Sequence, residues 1–303
     1  MKNYNFNPLL EKLRENKSAG NGKYDFFGSI NNIKIFYRYF LPAQLRKIVI
    51  VAHGAGGSGD YYVLLADKLF EEGIGVYIMD YRGHGYSEGE HGDIKDFDLI
   101  LKDFNFFINL IRNRHKDIPL FLFGESMGAL VIINFLAKYK VSINGIILFS
   151  PAVKLKLKLS LKQILSVIPL SLIYLFAPGV PIINMNSGRN STGISNPIHL
   201  EYDRTDELHL KKISIRYLLT LNKIIKKAFK LASVITQPIL IIQGENDPVL
   251  NIDGIEQFFD ECSSRDKELI IINNATHALF TDPNACFDKQ NIWKIFKEWL
   301  DKH

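Results

Sequence analysis

One pentapeptide constrains the fold of this chain more than any other feature. It reads Gly124-Glu125-Ser126-Met127-Gly128 and lies between two apolar runs, residues 120–123 and 129–136. The first run predicts a buried strand and the second a helix, which places Ser126 at the apex of a tight turn between them. Glycine at both outer positions relieves the steric strain of such a turn, and the helix N-terminus favours an anion beside Ser126. We interpret Ser126 as a nucleophile; a glycine-rich turn without chemistry is the alternative.

Apolar runs rich in Ile, Val, Leu and Phe recur along the chain, with helical patterns between them. Near-continuous apolar strands are typical of a parallel sheet that helices cover on both faces. The sequence therefore predicts an α/β fold, with a doubly wound, mostly parallel sheet and right-handed crossovers. We expect strands at residues 33–39, 47–52, 76–80, 120–123, 145–150, 239–243 and 269–272, and helices at residues 61–72, 96–114, 127–138, 255–262 and 286–300. Every motif described below follows a strand, at the sheet edge where such folds bind ligands.

The positive charge of the chain is concentrated in one segment. Residues 151–233 contain ten Lys and three Arg against four acidic residues, a net charge of +9, although the whole chain of 303 residues carries only +5. The remainder is therefore net acidic. This difference predicts two parts: a core formed by residues 1–150 and 234–303, and an inserted cap formed by residues 151–233.

Composition also bears on compartment and cofactors. The two cysteines, Cys262 and Cys286, are too few for a disulfide framework, and neither has a close Cys or His partner for a metal. The first twenty residues do not resemble a signal peptide, and no run of about twenty apolar residues predicts a transmembrane helix. We expect a cytoplasmic protein that uses neither a metal nor a cofactor.

Two later strand ends supply partners for a serine nucleophile. A serine hydroxyl needs a base, usually a histidine that a carboxylate orients. Asp247 follows the strand predicted at residues 239–243, and His277 follows the last predicted strand. We expect Asp247 as the acid and His277 as the base, in the chain order Ser, Asp, His. Glu245 competes with Asp247 but lies earlier in the same turn.

An oxyanion intermediate needs donors that are already in position. We expect one donor to be the backbone N–H of Met127, directly after Ser126. The loop His53-Gly54-Ala55-Gly56-Gly57 follows the second predicted strand, and Ala55 is its expected donor. Gly54 and Gly56 let the backbone approach a substrate closely, although a simple chain reversal is the alternative. The glycine-rich loop at residues 80–87 is interpreted as structural support.

Together these residues resemble the serine α/β-hydrolases, and within them the monoacylglycerol lipase or lysophospholipase-like group. The resemblance spans residues 33–277 and rests on five motifs, at residues 53–56, 80–87, 124–128, 244–247 and 277. It implies an eight-stranded sheet with a helical cap inserted after strand 6. It also implies the nucleophile Ser126, the acid Asp247, the base His277 and the oxyanion donors Ala55 and Met127.

The chain departs from this resemblance at two places. Relatives often have a Glu-His pair where this chain has Gly57-Ser58, and glycine is frequent where it has Ala129. Neither position carries the catalytic chemistry, but both weaken any transfer of substrate specificity. Aspartate-nucleophile relatives, the epoxide hydrolases and dehalogenases, are excluded because serine occupies position 126.

The basic segment alternates lysine and leucine at residues 154–162 and then shows a helical apolar stripe that includes Leu161, Ile164, Leu165 and Ile168. In one interpretation these leucines form the core of the cap and line an acyl pocket. In the other, part of this face contacts an anionic membrane, where lysines add attraction and leucines insert shallowly. Nucleic acid is not an expected partner, because no recognition motif accompanies the lysines.

We predict a serine hydrolase of lipid-like carboxylic esters, of the monoacylglycerol or lysophospholipid type, that acts through an acyl-enzyme. The same three residues could serve a thioesterase or an aminopeptidase, although a substrate amine calls for acidic residues near the pocket and the cap is basic. A ligand-binding relative without turnover is a further alternative. Binding alone does not require Asp247 behind His277.

Overall fold

The computed structural model describes residues 22–156, 175, 177–185, 205–279 and 292–303. Within these residues, eight strands form one sheet in the order β1-β2-β4-β3-β5-β6-β9-β10, and β7 pairs with β8 in a small second sheet. The strands are β1 (Gly22–Gly28), β2 (Lys34–Phe40), β3 (Lys47–Ala52), β4 (Ile74–Met79), β5 (Leu120–Glu125), β6 (Gly145–Phe149), β7 (Pro181–Asn184), β8 (Lys212–Ser214), β9 (Ile239–Gly244) and β10 (Lys267–Ile272).

The sheet is parallel from β4 to β10 and antiparallel only at the β1–β2 and β2–β4 pairs. The central strands β4, β5, β6 and β9 are buried along their whole length. Their near-continuous apolar sequences follow from this, because both faces of each strand meet helices. The predicted fold class, a doubly wound and mostly parallel eight-stranded sheet, is confirmed.

Six α-helices are described: α1 (Val63–Glu71), α2 (Phe97–Arg114), α3 (Met127–Lys138), α4 (Ile215–Ala232), α5 (Ile252–Glu261) and α6 (Ile292–Lys302). Helices α2, α3, α4 and α5 share one apolar core with inward residues of the strands. Helices α1 and α6 share a second core on the opposite face of the sheet. Because side chains alternate along a strand, each central strand supplies residues to both cores.

Three strands and one helix were not expected from the sequence: β1, the short paired strands β7 and β8, and helix α4. Strand β1 is exposed at all but one of its seven residues, so it lacks the buried apolar run of the other strands. Helix α4 lies inside the segment interpreted as a cap, yet its buried face packs beside α3 and α5. The crossover between the parallel neighbours β6 and β9 requires such an element, because parallel strands cannot be joined by a tight turn.

Other expectations fall outside the described residues. They include the apolar stripe from Leu161 to Ile168, Lys158, and the first part of the helix expected at residues 286–300. The helical cap stays a prediction for the same reason. In the part of the chain that the structure covers, no helix is long and apolar enough to cross a membrane.

Strand order places a crevice at the centre of the sheet. After β3 the chain turns to β4 on one side, and it later returns to β5 on the other side of β3. Such a reversal leaves a gap between neighbouring loops at the carboxyl ends of the strands, where ligands bind in folds of this kind. The loops that follow β3 and β5 carry Ala55 and Ser126.

Candidate active site

Ser126 occupies a sharp turn between β5 and α3. Its backbone dihedral angles are φ +53° and ψ −111°, a conformation that a non-glycine residue rarely adopts. A Cβ atom at Gly128 would lie 1.9 Å from the carbonyl oxygen of Ala52, and one at Gly124 would lie 2.8 Å from the backbone N of Ala129. Both positions therefore require glycine, which accounts for the spacing of the pentapeptide.

The structure brings the three sequence-predicted side chains together. The Oγ atom of Ser126 lies 3.1 Å from Nε2 of His277, and Nδ1 of His277 lies 2.8 Å from Oδ2 of Asp247. The His277 side chain is 13% exposed and Asp247 is fully buried. Because the carboxylate accepts the Nδ1 proton, Nε2 is free to accept the Ser126 proton.

Four donors hold the Asp247 carboxylate. Besides His277, the Gln243 side chain donates to Oδ2, and the backbone N–H groups of Val249 and Leu250 donate to Oδ1, at 2.8–3.0 Å. Burial alone would raise the pKa of this carboxyl. The hydrogen bond and charge of His277, with the bonds from Gln243 and Leu250, instead hold its pKa below the ordinary value. The lowered pKa keeps Asp247 ionised, so its negative charge is available to the His277 imidazole.

Two carboxylates act on His277. Burial by itself would lower the pKa of the imidazole, but the hydrogen bond and charge of Asp247, and then the charge of Glu125, raise the pKa above its ordinary value. The backbone of His277 is also held, because the hydroxyl of Ser150 donates to its carbonyl oxygen at 2.8 Å. The imidazole thus has a fixed position and an increased basicity.

Glu245, the rival acid, takes another role. Its carboxylate accepts the backbone N–H of Asn274 at 3.0 Å, on the exposed side of the β9 and β10 loops. Gly244 lies between the same two loops, where a Cβ atom would come within 2.3 Å of the Thr276 carbonyl oxygen. The turn after β9 therefore directs Asp247, not Glu245, towards His277.

The loop after β3 lies beside Ser126. A Cβ atom at Gly54 would lie 3.8 Å from Cβ of Ser126 and 3.8 Å from the Glu125 carbonyl oxygen, so the backbone of this loop packs against the turn that carries Ser126. Ala55 follows in the loop, half-buried, and Met127 begins helix α3 with no side-chain cap on its first turn. Unpaired N–H groups at a helix start can bind a negative charge.

The His53 side chain holds the loop after β3 in place. It is fully buried, its Nε2 atom accepts the backbone N–H of Tyr81 at 3.1 Å, and its Nδ1 lies 2.8 Å from the Gly54 carbonyl oxygen. Burial lowers the pKa of His53 well below its ordinary range, with a further contribution from His84. The side chain is thus neutral, and it joins the loop after β3 to the loop after β4.

The loop at residues 80–87 is bound into the fold in the same way. Asp80 accepts the backbone N–H groups of Gly59 and Tyr86 at 2.6 and 2.9 Å, and the Ser87 hydroxyl donates to the Asp80 carbonyl oxygen. A Cβ atom at Gly85 would lie 2.1 Å from the Asp80 carboxylate. These contacts fit the structural role expected from the sequence.

The segment of residues 151–233, predicted to be an insertion, contacts the loop that follows β3. The backbone N–H of Leu210 donates to the Gly56 carbonyl oxygen at 2.9 Å, and the Tyr61 hydroxyl lies 2.8 Å from Nδ1 of His209. The Met185 side chain reaches Gly56, where a Cβ atom would lie 2.8 Å from its sulfur. The inserted segment is therefore in direct contact with the loop that carries Ala55.

Lys156 is one of the alternating lysines at residues 154–162 that one interpretation of the sequence assigned to a membrane-facing surface, and in the structure it bonds to the Asp247 loop. Its ammonium group donates to the Asp247 carbonyl oxygen at 2.7 Å, and its backbone N–H donates to Val249 at 2.8 Å. Lys154 is exposed. The start of the inserted segment thus forms part of the Asp247 loop.

Sequence reasoning missed Ser150, Lys156 and Gln243, which bond to His277 or Asp247. It also missed the contact between the Tyr62 hydroxyl and Glu125, directly before Ser126. Each acts on a residue distant in the chain or through a side-chain hydrogen bond, and no local pattern marks such pairs. Glu125 alone carried a signal, because a carboxylate directly before a nucleophile is unusual in a buried strand end. Among the described residues, no cluster of three His, Cys, Asp or Glu could hold a metal ion.

The fold and the site define a serine α/β-hydrolase. The family model described as Hydrolase_4, serine aminopeptidase S33, matches residues 43–284, which include Ser126, Asp247 and His277. This match covers well over half of the chain. The chain belongs to that family.

Similarity to individual known proteins narrows the group within this family. It is 24% identical over 278 residues to the monoacylglycerol lipase of Mycolicibacterium smegmatis, which covers 91% of this chain and 96% of that protein. It is 27% identical over 267 residues to the monoglyceride lipase of Mus musculus, covering 86% of each chain. A soluble variant of the Saccharomyces cerevisiae monoglyceride lipase, solved with a substrate analogue, superposes with a TM-score of 0.77 at 26% identity, over 93% of this chain and 94% of that one. The chain is a carboxylic-ester hydrolase of the monoacylglycerol lipase-like group.

Proposed function

We propose that this enzyme cleaves lipid-like carboxylic esters, of the monoacylglycerol or lysophospholipid type, through an acyl-enzyme on Ser126. The observation that carries the proposal is the continuous chain of contacts from Ser126 through His277 to Asp247, at 3.1 and 2.8 Å. The names of the relatives support the substrate class.

The first half of the reaction forms the acyl-enzyme. His277 accepts the Ser126 proton at Nε2 while Oγ attacks the ester carbonyl carbon, and Asp247 stabilises the imidazolium that results. The backbone N–H groups of Ala55 and Met127 bind the oxyanion of the tetrahedral intermediate. His277 then donates its proton to the leaving alcohol, glycerol or its equivalent.

Water completes the cycle by the same route. His277 removes a proton from a water molecule, the hydroxide attacks the acyl carbonyl carbon, and Ser126 leaves with the proton that His277 returns. The fatty acid is released. The raised pKa of His277 makes it a stronger base for both steps, provided that it starts neutral.

Chain length is selected by the apolar surface of the inserted segment, which we propose acts as a cap and comprises residues 151–233. Each buried methylene of an acyl chain gains about 0.8 kcal/mol, so affinity rises with chain length without polar contacts. The basic character of this segment disfavours a substrate amine, and therefore the peptidase chemistry that the family name mentions.

Labelling and turnover test the proposal together. Wild type should react with a fluorophosphonate probe, and the variant Ser126→Ala should not, while both unfold at the same temperature. Absence of labelling by folded wild type would identify a binding protein instead. A substrate series should then compare monoacylglycerols and lysophospholipids of increasing chain length with acyl thioesters and aminoacyl anilides. Faster turnover of thioester or anilide than of every oxygen ester would overturn the ester assignment.

We also propose that this enzyme works in the cytoplasm and contacts anionic membranes through its basic segment. Helix α4 supports the membrane contact, because four lysines form one exposed stripe along it: Lys223, Lys226, Lys227 and Lys230. No acidic residue occurs in this helix, and the exposed Leu218 and Leu219 lie near its start. That start is next to the nucleophile turn, since the Tyr217 hydroxyl contacts the Met127 sulfur at 3.4 Å. Such a face suits shallow binding to anionic lipid.

Co-sedimentation with vesicles tests this contact. The variant Lys226→Gln/Lys230→Gln should bind vesicles of phosphatidylserine and phosphatidylcholine several-fold less than wild type. The control Lys294→Gln/Lys302→Gln removes the same charge from α6, which packs on the opposite face of the sheet. Equal recovery of wild type with neutral and anionic vesicles, or equal loss in both variants, would contradict the proposal.

A further inference from the structure

A second buried carboxylate adjoins the nucleophile. Glu125 ends strand β5, directly before Ser126, and is 5% exposed. Its Oε2 atom accepts a hydrogen bond of 2.7 Å from the Tyr62 hydroxyl, which is itself buried. A carboxylate is costly to bury, so its retention at this position calls for a specific use.

Tyr62 extends the contact to the neighbouring loop. Its hydroxyl oxygen accepts the backbone N–H of Gly54 at 3.3 Å while its proton is directed to Glu125. Burial raises the pKa of Tyr62 well above its ordinary value, and the charge of Glu125 raises it further, so the phenol stays protonated and keeps this direction. A chain of two hydrogen bonds therefore runs from Glu125 to the amide directly before Ala55.

The charge of Glu125 also reaches the base. Two carboxylates raise the pKa of His277: Asp247, bonded to Nδ1, and then Glu125. The position of Glu125 supports this effect, because it directly precedes Ser126, whose Oγ atom lies 3.1 Å from Nε2 of His277. The charged Lys156 ammonium is bound to the backbone carbonyl oxygen of Asp247. When His277 accepts the Ser126 proton, its positive charge is therefore stabilised by two carboxylates, those of Asp247 and Glu125.

We propose that Glu125 is a positioning residue with two tasks: through Tyr62 it fixes the loop that presents the Ala55 amide, and by its charge it stabilises the His277 imidazolium. Glu125 performs both without touching the substrate. The inference rests on the proposed function, because it takes Ala55 as an oxyanion donor and His277 as the base.

Three variants separate the two tasks. Glu125→Gln keeps the shape of the side chain and removes its charge. Tyr62→Phe keeps the charge of Glu125 and removes the hydrogen bond between the two residues. Glu125→Asp keeps the charge on a shorter side chain that no longer reaches Tyr62. Each is compared with wild type in kcat, KM and the pH profile of kcat/KM, using one soluble ester. Glu245→Gln is the matched control, since its carboxylate bonds to Asn274 and not to the site.

We expect kcat to fall about tenfold in all three variants, with KM little changed, as one charge-assisted hydrogen bond that supports the transition state is lost. The acidic limb of the pH profile should move to lower pH in Glu125→Gln alone. Without this negative charge His277 loses its proton more readily, so activity persists at lower pH. Tyr62→Phe and Glu125→Asp should retain the wild-type limb, and Glu245→Gln should match wild type throughout.

The inference is overturned if the acidic limb of Glu125→Gln coincides with that of wild type, or if Tyr62→Phe keeps kcat within twofold. Melting temperatures identify any variant that has lost its fold. If Glu125→Gln does not fold, Glu125→Met removes the same charge with a side chain of similar length, and its acidic limb decides the charge task in the same way. Fluorophosphonate labelling of wild type distinguishes this failure from failure of the proposed function, because a labelled and active wild type with unaffected variants would refute only the role of Glu125.

Discussion

Two regions at the site are held in different ways: the loops that follow β3, β5, β9 and β10, here called the floor of the site, and the segment of residues 151–233. In the floor, backbone atoms approach so closely that no side chain fits between them, as at Gly128 against Ala52 and Gly244 against Thr276. The described part of the inserted segment contacts the floor through side chains and single hydrogen bonds, such as Tyr61 with His209. With the function proposed above, this difference predicts that the chemistry depends on a rigid sheet edge, whereas substrate preference changes with a few side chains.

The largest expected effect in the floor comes from the acid. Asp247→Asn should lower kcat roughly 10⁴-fold, because an amide can no longer hold His277 with its proton on Nδ1. Steady-state kinetics on a short-chain ester measures this loss, and circular dichroism checks that the fold is retained. The control Glu245→Gln alters the neighbouring carboxylate of the same turn and should keep kcat near that of wild type. Equal losses in both variants would mean that the turn, and not the carboxylate contact, is responsible.

A second test concerns the close backbone packing of the floor. Gly128→Ala should destabilise the protein by about 3 kcal/mol or more, because its Cβ would overlap the Ala52 carbonyl oxygen and neither backbone can move freely. Urea unfolding should show a lower midpoint with an unchanged slope. Gly28→Ala is the matched control, since nothing lies within 4 Å of a Cβ there. A stable Gly128→Ala protein would contradict the rigid floor.

The smallest effect is expected where the inserted segment contacts the site. Tyr61→Phe removes one hydrogen bond to His209, worth about 1 kcal/mol, and should lower kcat/KM for a long-chain ester about fivefold through KM. Tyr86→Phe serves as the control, because its exposed ring packs on Phe36 of strand β2. If Tyr61→Phe instead reduced kcat with KM unchanged, the contact with His209 would act on the chemistry. The proposed difference between the floor and the segment of residues 151–233 would then be wrong.

The sequence was sufficient for the parts of the molecule that local patterns encode. The strands β3, β5, β6 and β9 are continuous apolar runs, and the turns that follow them hold residues of distinctive chemistry. Because parallel strands end at one edge, Ser126, Asp247 and His277 could be expected to meet although they are far apart in the chain. The structure places them within hydrogen-bonding distance.

The elements that escaped prediction depend on contacts between distant residues. Strand β1 is an edge strand with little burial, so its pairing with β2 leaves no apolar run to detect. Helix α4 does carry a helical stripe, with Tyr217, Ile224, Ile225 and Ala228 buried, but the charge pattern of the segment drew attention to a cap instead. Tyr62 and Glu125 are 63 residues apart, and no periodicity links them.

Lys156 determines where a chimera of two relatives should be joined. It belongs by sequence to the inserted segment, yet both its ammonium and its backbone N–H are bonded to the turn that carries Asp247. A graft that began directly after Ser150 would discard this support, and the resulting inactivity would be mistaken for altered selectivity. Grafts that start beyond Lys156 leave the acid supported, so exchanged segments can be compared on substrate choice alone.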